Sequence, residues 1–232
     1  MNVPTDTETD TTIRWSRLLA RGPEAETFLQ GQLSQDVTTI GEGGAWALVL
    51  APDGVVLTSS YVTKSDDGFV LDVPRSLGDA ALARLRRFLL RTKCTLELAD
   101  VDHGPYNTVE EQIRQGRPGP AEFAFGLTPQ CFGAAFVASS VSFTKGCFTG
   151  QELVGRLDAR GSSVPWRLVR ATGPSVARIV EVLTSKGPVG PSGVTTSIER
   201  DDAVVALGFA HRSLFASAEL ASAPDVLVDE IA

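Results

Sequence analysis

One thiol in the sequence sits where a thiol can react. Cys147 lies in residues 141–157, which read VSFTKGCFTGQELVGRL. Thr149 followed three residues later by Glu152 has the spacing of a capping box, in which each side chain meets a backbone N–H at a helix start, so a helix is expected immediately after Phe148. Cys147 then stands just ahead of a helix N-terminus. Free N–H groups, the positive end of the helix dipole and an ammonium such as Lys145 favour thiolate over thiol there, and such settings lower a thiol pKa from about 8.5 to roughly 3.5–7.5. Gly146 and Gly150 flank the thiol and permit tight turns or the close approach of a ligand. The same spacing also suits a small packed side chain beside an ordinary turn. The residues alone therefore leave two readings for Cys147, a reactive thiolate and a core atom. Gln151 has no duty in the capping box and can face a ligand. Arg156, four residues beyond Glu152, either pairs with it on the surface for about 0.5 kcal/mol at most or contacts an anion.

No second nucleophile competes with this one. Cys94, in a strand-like run, and Cys131, beside Phe132, read as core residues. Three cysteines without a C-x-x-C pair and two histidines, His103 and His211, supply neither a zinc site nor a disulfide framework, so no stably bound metal is expected. The histidines also nominate no general base for Cys147.

The elements that must position this thiol can be read from periodicity. Residues 13–19 suit a strand, and Gly22-Pro23-Glu24-Ala25-Glu26 suits a helix start, with Pro at the first helical position and carboxylates in the first turn. Phe28, Leu29 and Leu33 then share one face. Residues 45–50, 55–62 and 69–73, separated by the turn Pro52-Asp53-Gly54 and by residues 65–68, predict an antiparallel meander. Apolar residues recurring at three and four over 77–91 predict a helix packed on that sheet, and 94–98 returns as a strand. A short helix is expected from a cap at Asn107, with Glu110 three residues on, to Gly116, and 116–129 reads as a loop. From residue 162 the apolar runs 166–171, 179–183, 194–198 and 204–210 predict a small β-barrel or sandwich. The expected organisation is a flexible tail over 1–12, an α+β region of antiparallel sheet and packed helices over 13–161, and a C-terminal β-barrel over 162–232.

Composition sets the outer limits. With 232 residues, 43% hydrophobic and 21% charged, the chain can build a sizeable core, which excludes a disordered polyelectrolyte. Lys plus Arg is 21 against 28 for Asp plus Glu, and the resulting −7 argues against broad, salt-driven binding to nucleic acid or anionic membrane. No apolar stretch approaches the roughly 18–20 residues that span a bilayer. No export signal opens the sequence, and a cytoplasmic protein is expected.

The octapeptide Lys145-Gly146-Cys147-Phe148-Thr149-Gly150-Gln151-Glu152 resembles the K-G-C-Y-x-G-Q-E signature of the YgfZ-like folate-binding proteins, relatives of the glycine-cleavage T-protein (aminomethyltransferase). Weaker blocks follow in family order. Phe28-Leu29-Gln30-Gly31-Gln32 through Asp36-Val37 is similar to F-L-Q-G-Q-x-T-x-D-V, Ala51-Pro52-Asp53-Gly54 to an x-P-K/D-G hairpin, and residues 84–93 to R-L-x-x-x-x-L-R-x-K. Residues 113–118 are similar to I-x-x-G-x-P, and 194–197 with 206–212 to the closing T-S and A-L-x-x-x-x-R. The resemblance implies a T-protein-like fold around a cavity for tetrahydrofolate, and an accessory role in iron-sulfur cluster assembly or repair that needs the motif cysteine. It implies Cys147 and Lys145 as the chemical pair and Gln32, Asp36, Gln112, Gln151, Glu152 and Arg156 on the folate side. The implied partners are folate and iron-sulfur client or assembly proteins, with no nucleic acid and no membrane. Phe148 departs from the family Tyr, and Gln112 stands where the family often has Arg, which replaces a charge-assisted contact by a neutral one. Two alternatives follow. One is a folate-dependent aminomethyl or one-carbon transferase, for which Asp53 is the available carboxylate. The other is a folate-independent interaction module.

Overall fold

Strand β1 (Trp15–Arg21) is the spine of the first sheet, because it pairs antiparallel on both sides. Its partners come from the meander β2 (Ala45–Leu50), β3 (Val56–Ser65) and β4 (Gly68–Pro74), and from β5 (Thr95–Val101), giving the order β2-β3-β4-β1-β5. The structure is a computed structural model that describes residues 11–231. Residues 1–10 of the tail expected over 1–12 lie outside the described residues. Thr12, the last residue of that expected tail, pairs with Thr108 in a bridge.

Strand alternation gives this sheet two unlike faces. Ala45, Val62, Leu71, Leu18 and Leu98 lie opposite one another in register and form one transverse row. The helices α1 (Ala25–Gln32) and α2 (Gly78–Arg86) cover this face, and Phe28, Leu29, Leu82 and Leu85 close a core on it. Helix α2 stops short of the helix expected over 77–91. Beyond Arg86 Leu89 still packs against the core, but Phe88 is 42% exposed and Leu90 is 79% exposed. Arg91 has a φ of 58°, which an α-helix cannot accommodate. The next residue along each strand points the other way, and Trp46, Tyr61, Asp72, Arg17 and Ala99 form the matching row on the opposite face.

Two short helices follow β5. The first, α3 (Val109–Gln115), is capped by Thr108, whose hydroxyl accepts from the Glu111 N–H at 3.2 Å, while the Glu111 carboxylate accepts from the Asn107 N–H at 2.7 Å. The cap lies one residue later than the Asn107 and Glu110 pair suggested, but Gly116 ends the helix as expected, with φ 63°. Inside the expected loop 116–129 lies α4 (Pro120–Phe123), with Pro at its first position and the Glu122 carboxylate accepting from the Gly119 N–H at 2.6 Å. After α5 (Ala134–Ser140) and α6 (Gln151–Ala159), the chain builds a second sheet.

That sheet comprises β6 (Trp166–Gly173), β7 (Gly193–Arg200), β8 (Ala203–His211) and β9 (Leu227–Glu230) in the order β7-β8-β6-β9. It has two edges and does not close, so the expected C-terminal barrel is corrected to an open antiparallel sheet. Two helices belong to the same region, α7 (Val176–Thr184) and α8 (Ala218–Ala221). Residues 179–183, expected as a strand, lie in α7. Ser175 caps it by accepting from the Arg178 N–H at 3.2 Å, and Ile179, Val182 and Leu183 bury one helical face against the sheet. A five-residue apolar run cannot distinguish strand from helix. Leu48, Leu50 and Val56 of the first sheet share a core with Phe132, Phe136, Leu168, Leu207 and Phe209, which joins the two sheets through α5.

Candidate functional site

The motif loop is anchored by its lysine. Lys145 is only 8% exposed, and its ammonium donates to the carbonyls of Gln30 (2.6 Å), Leu33 (2.7 Å) and Gln35 (3.0 Å). These carbonyls lie at and just past the C-terminal end of α1, where the helix leaves acceptors unpaired and the dipole favours a cation. Its three donors are thus matched by three acceptors, and the Nζ also lies 5.2 Å from the centre of the Phe148 ring. Burial lowers the Lys145 pKa to about 8, with the charge of Asp36 acting in the opposite direction. The ammonium expected to hold the Cys147 thiolate is therefore committed to α1. Cys147 itself is a free, exposed thiol, whereas Cys94 and Cys131 are buried as expected.

The helix after the motif begins later than the capping-box spacing predicts. Its N-cap is Gly150, at φ 85°, and no side chain caps it. A Cβ at Gly150 would stand 2.7 Å from the Ala51 carbonyl, so the turn Ala51-Pro52-Asp53-Gly54 and the motif loop can meet only through glycine. Thr149 is freed from capping. Its N–H donates to the Gly31 carbonyl at 3.2 Å and its hydroxyl to the Gln32 side-chain oxygen at 3.4 Å. The Gln151 oxygen turns back to accept from the Phe148 N–H at 3.3 Å. Glu152 and Arg156 form the exposed i,i+4 pair, at 2.6 Å.

Beneath the loop lies an arginine not singled out from the sequence as a site residue. Arg84 of α2 is 5% exposed and donates to the Leu50 carbonyl (2.9 Å) and to Gln32 Oε1 (3.0 Å). Its guanidinium packs over Phe88 at 4.4 Å, and its Nη2 is buried without an acceptor. Gln32 therefore links α1, α2 and the motif loop. Asp36 acts locally and caps a single turn over residues 37–39, accepting from the Thr38 N–H (3.1 Å), the Thr38 hydroxyl (2.6 Å) and Gln30 Nε2 (3.0 Å). Hydrogen bonding from Thr38, above all, lowers its pKa.

Gln112 belongs to a different place. It is buried, and its amide donates to Glu122 Oε2 at 3.4 Å. Glu122 is 0% exposed and forms no ion pair with a described residue. Its two oxygens accept from Gly119 N–H (2.6 Å), Gln112, Thr195 Oγ1 (2.5 Å) and Thr196 Oγ1 (2.6 Å). Four donors fill the capacity of a carboxylate, so Glu122 ties α4 to β7. Gln112 and Tyr106 line a cavity of about 400 Å³ together with Arg75, Ser76 and Pro120. A larger cavity, of about 680 Å³, lies between α5 and the second sheet, and none of the expected site residues lines it.

The aromatic residues converge on the opposite face of the first sheet, beside the core that Leu48 and Leu50 share with the second sheet. The chain has two tyrosines and three tryptophans, and both tyrosines and two of the tryptophans gather here. Trp15 meets Tyr106 edge-on at 4.9 Å, Trp46 meets Tyr61 edge-on at 5.2 Å, and Trp46 lies 6.2 Å from Tyr106. In the same transverse row Arg17 holds Asp72 with two bonds, of 2.8 and 3.1 Å. The Arg117 guanidinium stacks 4.5 Å above the Trp46 ring. Burial, reinforced by the Glu122 charge, raises the Tyr106 phenol above its ordinary pKa. Trp46 and Tyr61 are partly buried. Flat apolar rings beside fixed hydrogen-bonding groups can receive a planar, polar heterocycle.

No protein-family model matches the chain. It is 22% identical to a "tRNA-modifying protein YgfZ" of Enterobacter sp. (strain 638), in a match covering 64% of this chain and 67% of that protein. A protein of the same name from Cronobacter sakazakii (strain ATCC BAA-894) is 32% identical over 84 residues, which is 35% of this chain and 25% of that one. The crystal structure of glycine cleavage system aminomethyltransferase T from Bartonella henselae superposes with a TM-score of 0.53, covering 87% of this chain and 76% of that one at 14% identity. The chain is thus similar to YgfZ in sequence and to the glycine-cleavage T-protein in fold. The T-protein-like fold agrees with the α+β arrangement of antiparallel sheets and packed helices. Among the described residues, no helix is long and apolar enough to cross a membrane.

Proposed function

We propose that this YgfZ-like chain binds tetrahydrofolate and serves as an accessory protein in the assembly or repair of iron-sulfur enzymes, with Cys147 as its working thiol. The observation that carries the folate part is the face bearing Trp46, Tyr61, Asp72 and Arg17. A pterin is a planar ring edged with donors and acceptors, and this face offers rings to stack on, the Arg17 and Asp72 pair at its level, and Tyr106 behind Trp46. The residues present thus fit such a ligand. When bound, tetrahydrofolate supplies a one-carbon carrier and an electron-rich ring. The chain's part is to bind and orient it, and to keep Cys147 open to a partner while Lys145 fixes the loop beneath it. Tight clamping of the loop beside an exposed thiol supports a role in which Cys147 meets a second protein. Both YgfZ relatives carry tRNA modification in their names, which suggests a setting for the client enzyme. The net charge of −7 opposes direct, broad contact of this chain with RNA.

Titration calorimetry with tetrahydrofolate tests the first half, and the absence of both binding heat and a thermal shift sinks it. Replacing the native chain in cells by Cys147→Ser tests the second. Iron-sulfur enzyme activity is expected to fall at unchanged level of the protein, and undiminished activity removes the thiol from the proposal. No contact favours the transferase reading, since Asp53 is exposed in its turn and accepts from the Val55 N–H at 3.3 Å.

A further inference from the structure

Arg17, Arg167 and Arg178 each meet a carboxylate, and Lys145 meets three carbonyls. Arg117 stands apart. It lies in the loop between α3 and α4, and its guanidinium makes no hydrogen bond or ion pair with any described residue. Its Nη1 is buried without an acceptor. What holds the group is the ring of Trp46, 4.5 Å away, with Phe136 more distant at 6.0 Å. Burial depresses its pKa, and no carboxylate contact offsets that cost. A guanidinium is a planar fork of five donors, and burying its Nη1 without an acceptor is unfavourable unless something else supplies one. Glu122, the neighbouring buried anion, is already filled by four other donors.

We infer that Arg117 is the anion anchor of the aromatic face: it takes a carboxylate of the ligand whose ring lies along Trp46 and Tyr61. This rests on the folate reading and deepens it, assigning Arg117 to the acidic end of the ligand and the aromatic row to the ring. Stacking on Trp46 fixes the plane of the fork without using any of its N–H groups, so the fork stays available for a two-bond contact with a carboxylate. The residue thereby sets specificity for a charged ligand over a neutral one of the same shape.

A matched pair of ligands tests this, 5-formyltetrahydrofolate and its dimethyl ester, which differ in charge but share the ring. Their affinities are measured by calorimetry for the wild-type chain, Arg117→Gln and Arg117→Lys, each checked for an unchanged melting transition. The wild-type chain is expected to prefer the diacid by about tenfold or more, as a lost charge-assisted contact would give. Arg117→Gln should bind the diacid as weakly as the ester, with ester affinity within about twofold of wild type, and Arg117→Lys should recover part of the preference. An unchanged preference in Arg117→Gln overturns the inference and leaves the folate reading standing. An equal loss for both ligands also overturns it, because Arg117 would then hold the ring. Failure of the wild-type chain to bind either ligand sinks the folate reading and this inference with it.

Discussion

Lys145 and Arg117 are both cations withdrawn from water, and they have opposite surroundings. The Lys145 ammonium has three donors and three carbonyl acceptors within 3.0 Å. The Arg117 guanidinium has five donors and a tryptophan ring. The difference separates a charge that serves the fold from one that awaits a partner. A buried charge with a full set of partners is explained by the structure around it, whereas one without them needs another reason to persist. This reverses the roles that residue types alone suggest, since the lysine lies in the signature octapeptide and the arginine lies in a plain connecting loop. Glu122 belongs with Lys145, as an anion whose four donors are all supplied by the chain.

Breaking the filled members of this comparison should cost stability. Glu122→Ala orphans donors from α3, α4 and β7 at once, and urea unfolding should show a loss of about 3 kcal/mol or more. A loss below about 1 kcal/mol would mean that water replaces the carboxylate freely. Lys145→Met leaves three carbonyls without their donor and should lose about 2 kcal/mol by the same measurement. Its penalty should also depend on pH. The folded pKa of about 8 lies below the ordinary 10.5, so the unfolded chain binds this proton more tightly. The wild-type fold therefore gains on its unfolded state as pH rises from about 8 to about 10.5, and Lys145→Met lacks that gain. The stability gap between the two chains should widen across this window, and a constant gap would contradict the burial of the charge.

The unfilled member should behave otherwise. Arg117→Gln removes a stacking contact and also the cost of an unmatched charge, so its unfolding free energy should stay within about 1 kcal/mol of wild type. A large loss would place Arg117 with Lys145 as a structural cation. At the bottom of the scale, Glu152→Ala breaks only the exposed pair with Arg156 and should shift stability by about 0.5 kcal/mol or less.

What could be read in advance was whatever depends on neighbours in sequence. The meander, the helix after Gly22-Pro23, the stop at Gly116 and the buried positions of Cys94 and Cys131 follow from alternation, proline, glycine and composition. The failures share a different cause. The helix after Phe148 begins at Gly150 because that backbone meets the Ala51 carbonyl, almost a hundred residues earlier, which no local capping pattern records. Lys145 is directed to carbonyls 110 to 115 residues away. Glu122 finds its threonines 73 and 74 residues on, in the other sheet. The row through Trp46, Tyr61, Asp72 and Arg17 exists only once strand register is set, since one residue of slip would send every one of them to the opposite face. The octapeptide was thus legible as a signature, and the surface on which a ligand can lie was not.

The placement of the tryptophans has an optical consequence. Trp15 and Trp46 lie on the aromatic face, whereas Trp166 stands in the second sheet against His211 at 5.1 Å. Trp46 therefore lies on the face proposed for the ligand, directly under the Arg117 guanidinium, with the buried Trp15 behind Tyr106. The third sits elsewhere, as an internal reference. The molecule carries its own fluorescent gauge of that face, needing no label and no change to the sequence.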